Sequence, residues 1–418
     1  MRRIKKQDRV YTMHYKQDRE MKHIKMTFLG LILFACSPLH IAATELLGLD
    51  LQDLSVFSNT YTTTGADSTV YGNILTGDVG TSGAGGTITG SFTAVGAVTL
   101  GGISGTSREA TVSGDIISGG VLTTGDHASV GGSATSGGAA TIGPAGTVGG
   151  DLAAAGAITL GPDSYVSGSV VSGEVDVAEL LEGLNYKVDS NQLQILAAQE
   201  AISKMVTTTE LAATITTDIT LTSGVYHAAS LATTASTTIT LDAMGREDQF
   251  WVFNIDDILT TGASTKIELI NGADSGNIIW NSNGYTALGA NSTFLGTLMS
   301  KEYISVGANA KAVGSGDSCG GLFSALSYVS AGKDAQIGRE GCQGIASGFL
   351  VDPDGVAYLA ASEESEPESG SPQAALPAES PSGAVGVPEP GVRGVLMFSF
   401  ILMGLLIRRK KAKLVAAL

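Results

Sequence analysis

The sequence predicts an all-β fold: a right-handed, three-sided β-solenoid with one long α-helix packed alongside, followed by a disordered stalk and a C-terminal transmembrane helix. Three observations carry the prediction. A phrase recurs with an 18-residue period, as in Ala139-Ala140-Thr141-Ile142-Gly143-Pro144 and Ala157-Ile158-Thr159-Leu160-Gly161-Pro162. Apolar and small polar residues alternate within each copy, the period of a strand. Finally, 56 of 418 residues are glycine and only 6% are aromatic, which suits a thin repetitive core better than a thick globular one.

The elements follow in order. Residues 1–43 read as a basic N-terminal extension and an export signal, with Met21-Lys22-His23-Ile24-Lys25 ahead of an apolar run and Ile41-Ala42-Ala43 offering small residues for cleavage. Residues 44–176 hold an opening coil and the repeat array, whose units start at Ser91, Asp115, Ser133, Asp151 and Ser169. A fixed period with glycine at the corners is the signature of a solenoid. Strand alternation places Phe92, Ile116, Ala134, Leu152 and Val170 inside, and directs Thr99, Thr123, Thr141 and Thr159 outward beside Ala97, Val121, Ala139 and Ala157. The result is a flat strip of methyls next to a threonine ladder, repeating about every 4.8 Å. Two readings of the ladder stand: β-branched residues suit stacked parallel strands, and regularly spaced hydroxyls and methyls on a flat, uncharged wall can order water as the surface of ice does.

Residues 177–350 form the second half. Apolar residues Ile195, Ala198, Ile202, Met205 and Val206 recur at helical spacing, predicting an amphipathic helix over 189–206, with Asp189 as cap. Short β-runs return from 212 to 340. Residues 351–386 are an acidic Pro/Ser-rich linker that cannot build a core. The end, 387–413, carries Val387-Pro388-Glu389-Pro390, a short apolar run and Arg408-Arg409-Lys410-Lys411, a tail whose basic cluster would stay cytoplasmic.

Charge and chemistry narrow the function. Residues 44–392 carry nine basic residues against 37 acidic ones, a surface that repels nucleic acid. With only His127 and His227 beyond the signal and no Gly-x-Ser-x-Gly or His-x-x-Glu-His motif, neither an enzyme, a metal site nor a cofactor is expected. Cys319 and Cys342 are the cysteines outside the signal, and in an oxidising compartment they are candidates for a disulfide.

From Gly224-Val225-Tyr226 onward the order becomes specific: Phe250-Trp251-Val252-Phe253-Asn254-Ile255, Leu269-Ile270-Asn271-Gly272-Ala273, Asn277-Ile278-Ile279-Trp280 and Thr293-Phe294-Leu295-Gly296-Thr297. This order resembles that of the bacterial and fungal ice-binding protein family with a discontinuous β-helix. The resemblance implies a three-sided solenoid with one helix beside it, and ice or ordered water as partner. It adds Thr214, Thr216, Thr238, Thr240, Thr261, Ser264 and Thr286 to the candidate ice-binding residues. The array is a departure, lodged where family members pass quickly to the helix; it either lengthens the solenoid or forms a separate one. The tail resembles the PEP-CTERM sorting signal, which implies processing by an exosortase and delivery to the envelope or extracellular matrix of a Gram-negative bacterium. Two functions follow as expectations: an exported ice-binding-like protein with antifreeze or recrystallisation-inhibiting action, or a biofilm-matrix protein or adhesin engaging exopolysaccharide.

Overall fold

In a computed structural model of the chain, residues 43–103, 108–246, 248–315, 318–341 and 348–359 are described. Three parallel sheets of 13, 12 and 12 strands run side by side, and a small antiparallel sheet of Thr44–Glu45, Phe349–Val351 and Ala357–Leu359 stands apart from them. Each turn of chain contributes one short strand to each large sheet. We call the 13-stranded sheet the helix-facing sheet. The sheet containing Thr62–Thr64 is the threonine sheet, and the one containing Thr69–Val70 is the third sheet.

The array and the second half share one core. The chain enters the solenoid in its middle, at the coil beginning with Leu54–Ser58, and winds outward through the array to Val170–Ser172. It then turns into the long helix, starts again at the opposite end with Thr209–Glu210, and winds back until its last coil closes on its first. At that seam Val56 pairs with Leu322, Thr63 with Ser330 and Thr69 with Gln336, all parallel. One hydrophobic cluster accordingly runs from Leu152 and Val148 through Val56 to Trp280 and Trp251.

Corners explain much of the composition. Gly65, Gly83, Gly101, Gly125 and Gly143 each follow a strand of the threonine sheet, where backbone stacks on backbone. A Cβ added at Gly143 would lie 2.4 Å from the Gly125 carbonyl oxygen, a distance no side chain tolerates. At another corner a polar ladder links the rungs. Asn73 Oδ1 accepts from the Ser91 N–H, Ser91 Oγ from Asp115 N–H, Asp115 Oδ1 from Ser133 N–H, Ser133 Oγ from Asp151 N–H and Asp151 Oδ1 from Ser169 N–H. The backbone N–H and then the hydroxyl of Ser169 hold the Asp151 carboxyl below its ordinary range. Alternating Asp with Ser keeps like charges two rungs apart, which answers why the units begin with those two residues in turn.

The long helix is Val177–Ser203, starting twelve residues before the 189–206 segment expected from spacing and ending short of Met205 and Val206. Asp176, not Asp189, is the cap, its carboxylate accepting from the Ala178 and Glu179 N–H groups. The helix lies along the helix-facing sheet, with Ile202, Ala198, Ile195 and Val188 packed on Val252, Ile279, Phe323 and Leu75. Asn254 Nδ2 donates to the Ile202 carbonyl, Gln199 Nε2 to Asn281 Oδ1 and Gln192 Nε2 to the Ala325 carbonyl. Further along, Leu181 lies against Gly119. From Ile202 to Leu181 the helix rises about 31 Å, and the rungs from Asn254 to Ile117 span about 34 Å. Helix length and array length are therefore matched, which is why the helix has to begin early.

Ordered structure continues past residue 350 to Leu359. Cys319 is buried and disulfide-bonded; Cys342 lies outside the described residues, as do the export signal and Val387, Pro388, Glu389 and Pro390 of the tail. Among the described residues no helix is long and apolar enough to cross a membrane.

Candidate binding face

Every strand of the threonine sheet points its middle residue, or the equivalent position, away from the core. Register carries this column without a break from Thr214 through Ala232, Thr260, Ala287, Ser305 and Ser330 to Thr63, Thr81, Thr99, Thr123, Thr141 and Thr159. All twelve are Thr, Ser or Ala. The ladder extends about 50 Å and holds no charge.

A second outward column runs beside it and divides the face. From the opening coil through the array it is Val79, Ala97, Val121, Ala139 and Ala157, each carbonyl accepting from a backbone N–H of the preceding coil. These side chains are no taller than threonine, so the wall stays flat. Toward the second half the column becomes Tyr61, Tyr328, Tyr303 and Tyr285, stacked with ring centroids 4.5, 4.9 and 4.6 Å apart and within 9° of parallel. Their phenols rise above the sheet as a ridge. Burial against neighbours, then the adjacent Tyr328, pushes the Tyr61 hydroxyl up from its ordinary value; burial, then Tyr285, does the same for Tyr303.

The third sheet is the nearest rival. Its outward column begins with the exposed Tyr165, passes through Thr147, Ser129, Thr111, Thr87 and Thr69, then continues as Gln336, Lys311, Thr293, Lys266 and Thr238. Two exposed lysines interrupt it. The helix-facing sheet is covered along much of its length. Beyond the helix it carries an ionic cluster, where His227 Nδ1 lies 2.7 Å from Glu210 and Nε2 lies 3.1 Å from Asp256. Its bond to Glu210 leads the causes that raise the His227 pKa, opposed by desolvation and reinforced by Asp256.

The residues singled out in the sequence fall into four places. Thr99, Thr123, Thr141, Thr159 and Thr214 stand together in the outward column of the threonine sheet. Thr238 and Thr240 are on the third sheet. Thr216 follows the strand Thr214–Ile215, and Ser264 sits at a corner with φ 61°. Thr286 is not on the surface at all: it is fully buried and bonded to the Ser300 hydroxyl at 2.6 Å. Thr261 lies two residues beyond Leu259, the register partner of Thr286, and its hydroxyl accepts from the Gly289 N–H. Seven further members of this column are not singled out by the sequence reading: Thr63, Thr81, Ala232, Thr260, Ala287, Ser305 and Ser330. The signal was available in the corner glycine, since Leu259-Thr260-Thr261-Gly262, Ile304-Ser305-Val306-Gly307 and Val329-Ser330-Ala331-Gly332 repeat the plan of Val98-Thr99-Leu100-Gly101.

Residues 130–325 match the Ice-binding-like family. Ice-binding protein 1 of Shewanella frigidimarina is 39% identical over 98 residues, 23% of this chain and 11% of its own length. The ice-binding protein of a Colwellia species is 38% identical over 88 residues, 21% of this chain and 34% of its own. The chain thus spans about a third or less of the curated relatives it matches. Among solved structures, the Shewanella frigidimarina ice-binding domain aligns with TM-score 0.41 and 17% identity, covering 71% of this chain and 98% of that one. An ice-binding protein of the Antarctic ascomycete Antarctomyces psychrotrophicus aligns with TM-score 0.38 and 15% identity, over 70% and 97%. The family match runs from inside the array to the last coils of the second half.

Proposed function

We propose that this protein binds ice through the array half of its threonine sheet, at Thr81, Thr99, Thr123, Thr141 and Thr159 with Val79, Ala97, Val121, Ala139 and Ala157. The observation that carries the reading is the unbroken, uncharged outward column, which in the array is flanked only by side chains of its own height. Ice offers no charge to pair with and no cleft-sized group to enclose. Its recognition therefore calls for many weak, regularly spaced contacts rather than a few strong ones. Each rung supplies one hydroxyl and two or three methyl groups at about 4.8 Å intervals, held rigid by the stacked backbone. The tyrosine ridge breaks planarity, so the second half of the same sheet contributes less. The function is one of binding and requires no cofactor.

The test is thermal hysteresis and ice-recrystallisation inhibition by the purified chain, alone and with Thr123, Thr141 and Thr159 all replaced by Tyr. Activity in the parent and its loss in the triple variant are expected; full activity in the triple variant contradicts the assignment of the face.

The two ends complete the reading. The basic and apolar N-terminal segment directs export, and the Val387-Pro388-Glu389-Pro390 tail directs exosortase processing at the cell envelope. Mass spectrometry of the chain from fractionated cells of the source bacterium tests this: a mature species lacking both ends is expected, and a cytoplasmic full-length species contradicts it.

A further inference from the structure

We propose a second binding site on another side of the solenoid, a cleft beneath the long helix that takes a neutral polyhydroxylated ligand the size of one sugar unit. The proposal is independent of ice binding, because the cleft opens on the helix-facing sheet. There the outward column reads Met299, Phe323, Phe57, Leu75, Thr93 and Ile117 in register. The two phenylalanines fill the space under the helix. The fall in size from Phe57 through Leu75 to Thr93 leaves a cleft of about 300 Å³ between the sheet, the helix and the segment carrying Asp50 and Asp53, at the lower end of the range for small-molecule sites.

Its chemistry points to hydroxyl groups. Asn191 is only 4% exposed and lines the cleft. Its Nδ2 donates to the Lys187 carbonyl at 2.8 Å, while its Oδ1 is buried with no partner. A buried acceptor without a donor is costly, and a turn of the Asn191 amide toward the cleft would let a ligand O–H remove that cost. Around it stand further acceptors, the Asp50 and Asp53 carboxylates, and one strong donor, the Lys187 ammonium, over an apolar floor of Leu75 and Ile117. A metal cation would have no use for the floor and would meet Lys187; an anion would meet two carboxylates. A sugar hydroxyl both donates and accepts, and the C–H face of its ring suits Leu75 and Ile117.

Saturation-transfer NMR on the full chain with methyl α-glucoside, methyl α-mannoside and methyl β-galactoside tests the site. Transfer to at least one glycoside is expected. Binding should be about tenfold weaker in Asn191→Leu, the loss of one buried hydrogen bond, and weaker in Asp53→Asn, an exposed rim change that spares the fold. Thr93→Trp, which fills the cleft, should abolish it, while all three variants keep the parent's ice activity. No transfer to any of the three glycosides overturns the proposal, as does undiminished transfer in Asn191→Leu and Asp53→Asn. Calcium chloride binding that depends on Asp53, without any glycoside binding, overturns it in favour of a cation site.

Discussion

The two halves of the solenoid share three sheets and one core, yet they are built to different rules. The array holds coils together with an aliphatic core in which Ala134, Ala140 and Ala154 alternate with Leu122, Ile142 and Leu152, with glycine at the corners and the Asn/Ser/Asp ladder outside. The second half has a wider core centred on Trp251, Phe253 and Trp280, with Phe253 and Trp280 stacked 3.8 Å apart. A narrow, mostly aliphatic core permits a regular period, and a regular period permits a flat wall. Aromatic filling needs longer, unequal coils, and these give an irregular exterior. The difference teaches that regularity here is a property of the surface that the core must be thin enough to allow.

Breaking each half should therefore have different consequences. The largest loss of stability is expected from Trp280→Ala, about 3–5 kcal/mol for a buried aromatic, read by denaturant unfolding, with the array's threonine strip still in place. Next comes Gly143→Ala, expected to cost about 2 kcal/mol, since the new Cβ collides with the Gly125 backbone at 2.4 Å. Gly183 is the matching control: nothing lies within 4 Å of its added Cβ, and Gly183→Ala in the helix should stabilise by about 0.5–1 kcal/mol. A smaller effect is expected from Ser133→Asp, which sets three carboxylates on successive rungs of the polar ladder. It should cost roughly 0.2–1 kcal/mol at pH 7, a loss relieved as the pH falls through the carboxylate range and the charges disappear.

The smallest belongs to the far end of the second half. The His227 pKa is raised in the folded protein, with Glu210 its main partner. Its contribution to stability is thus fully present below the unfolded value of 6.5 and is lost as pH rises through the higher folded value. His227→Gln should lower the melting temperature slightly at pH 5.5 and leave it unchanged at pH 9. Equal effects at both pH values would show that the ring acts by packing alone.

The same contrast governs how much could be read in advance. In the array, period and alternation placed Thr99, Thr123, Thr141 and Thr159 on one column, because each coil copies the last. In the second half Thr286 was grouped with surface threonines although its neighbour Ala287 holds the outward position, since coils of unequal length hide the register. The tyrosine ridge was illegible for a different reason. Tyr61 and Tyr328 meet only because the first coil closes on the last, and nothing local in either stretch announces that seam. The helix start was misplaced because its length answers to the number of array coils it must span, a tertiary demand that overrides the cap signal at Asp189.

The central claim is that the array half, not the tyrosine-ridged half, docks to ice. Ice-affinity partitioning of two matched variants tests it most directly: Thr99, Thr123 and Thr141 to Lys in one, and Thr260, Ala287 and Ser305 to Lys in the other. The account predicts that the first loses its partition into ice while the second keeps most of it; the reverse pattern, or equal retention by both, would contradict it.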